Sequence, residues 1–220
     1  MPLLEVKNLR KSFGETEVLK GVSFTLNGGE VLSIIGASGG GKTTLLRCLN
    51  FLETPDSGEI LVNGERVFYV DEQSGLPVTV PGVQNIMGLV FQQFNLLDEY
   101  NVRNNICMPM KLDGRKPDRR FFEEVVDTLR LRDKLKKYPS ELSGGEQQRV
   151  AIARSILAKP ELIIADEPTG NLDKKTGEEV LELLTSCVSL FGQTLIIVTH
   201  NPEIAEKADR VITLEDGLVI

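Results

Sequence analysis

Cysteine is scarce in this chain, histidine occurs once, and acidic residues outnumber basic ones by 32 to 25. Each shortage excludes something. Cys48, Cys107 and Cys187 are too few and too scattered for a disulfide framework or a zinc site, and a reduced, cytosolic protein is the default expectation. The net charge of −7 argues against a general nucleic-acid binder, which needs a basic face. No segment approaches the ~20 apolar residues needed to cross a bilayer, and Met1–Lys7 lacks the charged-then-apolar layout of a signal peptide. If the protein serves a membrane process, another chain is expected to span the membrane. What is present is 220 residues, 41% of them hydrophobic, enough for one α/β domain with a large core.

The organising stretch is Gly36-Ala37-Ser38-Gly39-Gly40-Gly41-Lys42-Thr43-Thr44, which fits the phosphate-binding pattern G-x-x-x-x-G-K-[ST]. The glycines allow a tight turn that aims N–H groups at phosphate oxygens. Lys42 can set a positive charge on the outer phosphates, and the Thr43 hydroxyl is a hard oxygen ligand suited to Mg²⁺. Glu30–Ile35 before the loop reads as a buried strand. Leu45, Leu46, Leu49 and Leu52 after it are spaced for one face of a helix, whose N-terminus favours an anion.

Along the chain, Leu4–Leu9 and Val18–Leu26 read as strands, with Lys11–Gly14 as a turn between them. Within that turn Phe13, taken alone, reads as a core anchor. Gly58–Tyr69 reads as a hairpin around Asn63-Gly64, and Asp71–Gln84 as an extended loop. Ile86–Phe91 is a further strand, ended by Gln92, which by itself is a solvated cap. From Asn101 to Leu135 helix-compatible residues dominate, with Phe121, Val125, Leu129 and Leu131 marking an amphipathic face. A helix opens at Gly145. Ser143 and Glu146 fit a capping box there, while the N–H groups of Ser143, Gly144 and Gly145 offer a second anion site, and both readings hold together.

Glu161–Glu167 is an apolar strand ending in two carboxylates, placed where ligands bind at a parallel sheet. Asp166 can hold Mg²⁺ or its water, and Glu167 can orient and deprotonate an attacking water. Lys174–Leu190 reads as a long helix and Thr194–Thr199 as a buried strand ending in His200. That position raises this lone histidine from a structural residue toward one that meets the nucleotide. Pro202–Lys207 reads as a short helix, and a hairpin around Asp216-Gly217 closes the chain.

Together these motifs resemble the ATP-binding subunit of ABC transporters over the whole chain, most specifically in Leu142-Ser143-Gly144-Gly145-Glu146-Gln147-Gln148, which is similar to the family signature. The resemblance implies a P-loop core of ABC ATPase type over about 1–92 and 160–220, with an N-terminal antiparallel β region and an inserted helical subdomain over about 93–159. It implies ATP and Mg²⁺ as cofactors, with Thr43, Gln92 and Asp166 as metal ligands. It further implies that Phe13 stacks on adenine, that Gln92 faces the membrane partner, that Asp173 contacts a second copy and that His200 contacts the γ-phosphate. Two copies would close head to tail on ATP, the Ser143–Gly145 element completing the partner's site, on the inner face of the cell membrane beside a permease.

Within the family, Ala165–Asp173 and the end at Ile220 resemble the lipoprotein-release, macrolide-export and cell-division group. Leu46–Glu53 and Phe91–Leu96 are also similar to polar amino-acid importers. A soluble ABC ATPase with a non-transport role is a third reading, disfavoured by the acidic balance and by the lack of tandem cassettes.

Overall fold

A computed structural model describes residues 1–82 and 86–220 as two compact units, Met1–Met87 with Ile196–Ile220, and Gly88–Leu195. The expected loop reading of 83–85 lies outside the described residues. The first unit opens with β1 (Leu4–Phe13) and β2 (Thr16–Leu26), an antiparallel pair. Leu4, Val6, Leu9, Leu19, Val22 and Leu26 face the core, and the alternation slips at Asn8, whose φ of 49° marks a bulge in β1. β4 (Ser57–Val62) pairs with β1, and β5 (Glu65–Val70) returns through Asn63 and Gly64, both left-handed as a tight hairpin of primed type requires.

Two expectations are corrected here. The Lys11–Phe13 stretch is not a turn: Lys11 pairs with Leu19 and Phe13 with Thr16, and the chain reverses only at Gly14 and Glu15. The 71–84 segment is not wholly loop, because Pro77–Thr79 forms β6, paired with Val70–Phe68 of β5. Pro77 sits at the first residue of this edge strand, a place where its missing N–H costs nothing.

A parallel layer follows in the same unit. β3 (Val31–Ile35) lies beside β10 (Arg210–Glu215), which turns at Asp216-Gly217 into β11 (Leu218–Val219). β9 (Thr194–Val198) carries the chain from the second unit back into the first, and its last three residues flank β3. α1 (Lys42–Leu49) buries Leu45, Leu46, Cys48 and Leu49. Leu52 was expected on that face, but Phe51 turns left-handed (φ 57°) and leaves Leu52 63% exposed. Burial pushes the Cys48 thiol up to about 12, so it behaves as an inert apolar group.

The second unit holds β7 (Met87–Val90) next to β8 (Leu162–Asp166), with α2 (Val102–Leu112), α3 (Arg119–Thr128), α4 (Gly144–Leu157) and α5 (Lys174–Leu190). α4 is central: α2, α3 and α5 all pack against it. Val125 is buried in α3 as expected, but Phe122 and Val126 accompany it in place of Phe121. Phe121 instead meets Phe191 edge to face at 5.1 Å, and Leu129 and Leu131 enter the core after the helix has ended. After β9 the first unit adds the short helix α6 (Pro202–Ala205). Among the described residues no helix is long and apolar enough to cross a membrane.

Candidate functional site

In the first unit the phosphate-type loop stands between β3 and α1, as its sequence demands. Gly36 passes so close to β10 that an added Cβ would lie 2.0 Å from the Leu214 carbonyl oxygen, so no larger residue fits. Gly41, left-handed at φ 97°, is the N-cap of α1 and lets the chain enter the helix against Val18 and Leu19. Ala37, Ser38 and Gly39 are exposed, Gly40 is buried, and Thr43 and Thr44 sit in the first turn of the helix. The Lys42 ammonium donates to the carbonyls of Gly36 (2.7 Å) and Ala37 (2.8 Å), which holds the charge over the loop. N–H groups, a helix start and a lysine thus come together in one largely exposed loop, an arrangement that fits a polyphosphate.

The same edge carries His200. Thr199 donates its N–H to the Ile34 carbonyl at 3.2 Å, so the residue after it emerges beside the end of β3, where the loop begins. Phe13 is 48% exposed at the end of β1, so it is not the core anchor its sequence setting suggested. The nearby Lys11 ammonium lies 5.2 Å from the Phe13 ring centroid. Lys11 itself is held by Glu53 at 2.8 Å, with Asp56 and the Thr54 carbonyl alongside. The hydrogen bond to Glu53, opposed by burial and aided by Asp56, moves its pKa above the usual lysine value.

In the second unit, Asp166 ends β8 and Glu167 follows it. Glu167 takes a left-handed φ of 45°, uncommon for a glutamate and costly at about 1 kcal/mol or more. Its carbonyl accepts from Gly170 N–H (3.0 Å), which curls the following residues into a tight loop that ends at Asp173. Asp173 caps α5 through Thr176, whose hydroxyl and N–H hold the carboxyl below its ordinary value.

Gln92 follows β7 and is tied to that loop. Its Nε2 donates to Asn171 Oδ1 at 3.1 Å, and Asn171 Nδ2 donates to the Gln92 carbonyl at 2.9 Å. The segment around Gln92 is also anchored by α4. Gln148 donates to the Phe91 carbonyl (3.3 Å), and Arg154 donates to those of Phe94 (3.0 Å) and Asn95 (2.6 Å).

The start of α4 forms the capping box its sequence announced. Ser143 Oγ accepts from Glu146 N–H (3.3 Å) and Glu146 Oε2 accepts from Ser143 N–H (2.8 Å). One expectation changes: the Ser143 N–H is taken up by Glu146, so of the three N–H groups expected to offer an anion site, the box leaves those of Gly144 and Gly145. The box, together with a 3.1 Å ion pair to Lys134, holds the Glu146 carboxyl below its ordinary value despite partial burial. Gly145 has no room for a side chain, since a Cβ would approach Thr176 Cγ2 to 2.5 Å.

Sequence reasoning passed over Gln148, Arg154 and Asn171. Gln148 carried a usable signal: it precedes Ala151 and Ile152 by three and four residues, which puts an amide on the apolar stripe of α4, where a buried polar group needs a partner.

These features can be set beside known proteins. The family model for the ABC transporter matches residues 19–170. The methionine import ATP-binding protein MetN of Brucella abortus (strain 2308) is 41% identical over 99% of this chain and 58% of its own length. The macrolide export ATP-binding/permease protein MacB of Chlorobium phaeobacteroides is 43% identical over 100% of this chain and 33% of its own. The chain therefore spans only part of these curated relatives. A dimeric post-hydrolysis state of the cassette MJ0796 bound to ADP and Pi matches with a TM-score of 0.81 and 34% identity, covering 98% of this chain and 96% of that one. The cbiO1 structure from Clostridium perfringens matches with a TM-score of 0.87 and 29% identity, covering 100% and 87%. The motifs, the mixed α/β fold with its antiparallel sheet and these likenesses lead to one conclusion: the chain belongs to the ABC transporter family.

Proposed function

We propose that this cassette works as a head-to-tail pair, each ATP lying between the Gly36–Thr44 loop of one copy and the Ser143–Gly145 helix start of the other. One observation carries the reading. The Ser143–Glu146 box satisfies two N–H groups and leaves those of Gly144 and Gly145 at a helix start, on a chain whose triphosphate cradle is elsewhere. The dimeric MJ0796 structures support pairing as a property of closely similar cassettes.

In this reading Lys42 binds the outer phosphates, Phe13 stacks on adenine, Glu167 activates water, His200 senses the γ-phosphate and Asp173 meets the second copy. Thr43, Gln92 and Asp166 would hold Mg²⁺, which would supply positive charge against the phosphates. The donor set fits: a hydroxyl, an amide and one carboxylate are hard oxygen ligands.

The helical stretch over about 93–159 would dock a membrane permease near Gln92, with the cassette peripheral on the inner face of the membrane. The likeness to MacB favours a lipoprotein-release, macrolide-export or cell-division type of partner, and the likeness to MetN favours an importer. Co-purification from detergent-solubilised membranes separates them. A four-helix membrane protein with a large external domain supports the first, and a polytopic permease with a separate binding protein supports the second. A preparation that stays monomeric with ATP and hydrolyses it at full rate, indifferent to changes at Ser143, removes the paired-site reading.

A further inference from the structure

The geometry points to Asn171 as a positioning residue that fixes which end of the Gln92 amide faces outward. This rests on the reading of Gln92 as an oxygen ligand for Mg²⁺. A primary amide carries a donor end and an acceptor end of nearly equal size, so it presents either one unless its neighbours decide. Here the decision runs through two bonds. The Gln92 backbone carbonyl can only accept, so the Asn171 group 2.9 Å from it is the NH₂. That leaves Asn171 Oδ1 pointing at the Gln92 side chain. This oxygen can only accept, so the Gln92 group 3.1 Å from it is Nε2. The remaining end of Gln92, Oε1, is the one turned away from Asn171.

A main-chain atom thus sets the orientation of two amides in series. The outcome is that Gln92 turns outward its oxygen, the kind of donor a hard cation or its water needs, instead of an NH₂ group that would repel it. Gly170 makes the link close. A Cβ there would stand 2.8 Å from Gln92 Nε2 and 3.1 Å from its Cδ, so the amide lies flat against bare backbone. Because Asn171 sits between Glu167 and Asp173, the same pair of bonds joins the Gln92 segment to the loop that carries both carboxylates.

Asn171→Leu keeps the size of the side chain and removes both bonds. Its first readout needs no metal: side-chain ¹⁵N NMR of nucleotide-free protein, with the Gln92 NH₂ assigned by its loss in Gln92→Ala. The wild type should show a Gln92 NH₂ of high ¹⁵N order parameter, its amide group held about the Cγ–Cδ bond, and Asn171→Leu should release it. The second readout is ATPase rate against free Mg²⁺ at saturating ATP. Asn171→Leu should raise the half-saturating Mg²⁺ by about threefold to tenfold, the range expected when the one hydrogen bond that orients the Gln92 side chain is lost. The KM for ATP should stay close to wild type. In a Gln92→Glu background, where both oxygens are alike and no orientation needs setting, Asn171→Leu should no longer weaken the Mg²⁺ response.

An unrestrained Gln92 amide in the wild type overturns the proposal. So does an unchanged Mg²⁺ response in Asn171→Leu when Gln92→Ala shifts it. An unchanged Mg²⁺ response in Gln92→Ala itself instead strikes the metal-ligand reading of Gln92, whatever the amide spectrum shows.

Discussion

Arg154 closes its guanidinium on the Asn95 carbonyl at 2.6 Å, and so pins the segment after Gln92 to α4. A second nitrogen reaches the Phe94 carbonyl at 3.0 Å. Burial alone pushes the Arg154 pKa below its ordinary value, the mark of a charge taken out of water for a structural purpose. Arg154→Met keeps the apolar stem and strands two carbonyls. We expect a loss of about 1–3 kcal/mol in unfolding free energy. Hydrogen exchange should accelerate over Gln92–Leu97 before it does in α4 itself. Uniform acceleration across the unit would show that the arginine merely fills space.

Gly145→Ala tests how closely α4 and α5 are seated. Alanine favours a helix by about 1 kcal/mol over glycine in isolation. The Cβ would nonetheless meet Thr176 Cγ2 at 2.5 Å, so the helices must shift. The net effect should be a destabilisation of about 1–3 kcal/mol, readable in denaturant titration. Thr176→Ser removes that methyl, and a Gly145→Ala/Thr176→Ser double variant should recover most of the loss.

Glu167→Gln should leave ATP binding intact and cut turnover by about 10²–10⁴-fold, as loss of a general base does. The variant should also accumulate as an ATP-dependent dimer in gel filtration. Glu167→Gly should be equally inactive yet no less stable than wild type, because glycine relieves the left-handed φ of 45°. A wild-type ATPase rate in Glu167→Gln returns this carboxylate to a structural role.

The capping box gives the fold an acid limb. The Ser143 N–H first, then Lys134, hold Glu146 below the ordinary glutamate value of 4.5, with burial opposing them. The folded state therefore binds its proton less readily than the unfolded state. The resulting stability is present above about pH 4.5 and is lost as the pH falls through the lowered folded value. Glu146→Ala should lower stability at pH 7 by ~1 kcal/mol, a typical worth for a capping interaction. The gap between variant and wild type should close on acidification, as followed by thermal melts from pH 7 to pH 3.

Much of this architecture was legible because periodicity and punctuation agree locally. The Asn63-Gly64 and Asp216-Gly217 turns, the Gly41 entry to α1 and the Ser143 cap of α4 are all set by conformations few residues adopt. What was misread depended on partners far along the chain. Lys11–Phe13 has turn-like composition and stays extended because β2 lies opposite. Phe122 displaced Phe121 from the core because an aromatic pair is available to Phe121 at Phe191. Asn171 looked like part of a polar loop. Its significance appears only when Gln92, 79 residues away in sequence, comes within hydrogen-bonding distance.

Pro77 has a bearing on how copies of this chain can meet. It begins an outermost strand of only three residues. That border offers a newcomer too few amide donors, one of them replaced by a pyrrolidine ring, to template another ribbon. Multimerisation by sheet extension is closed off on this side, and self-association is steered toward surfaces made of helix ends and loops.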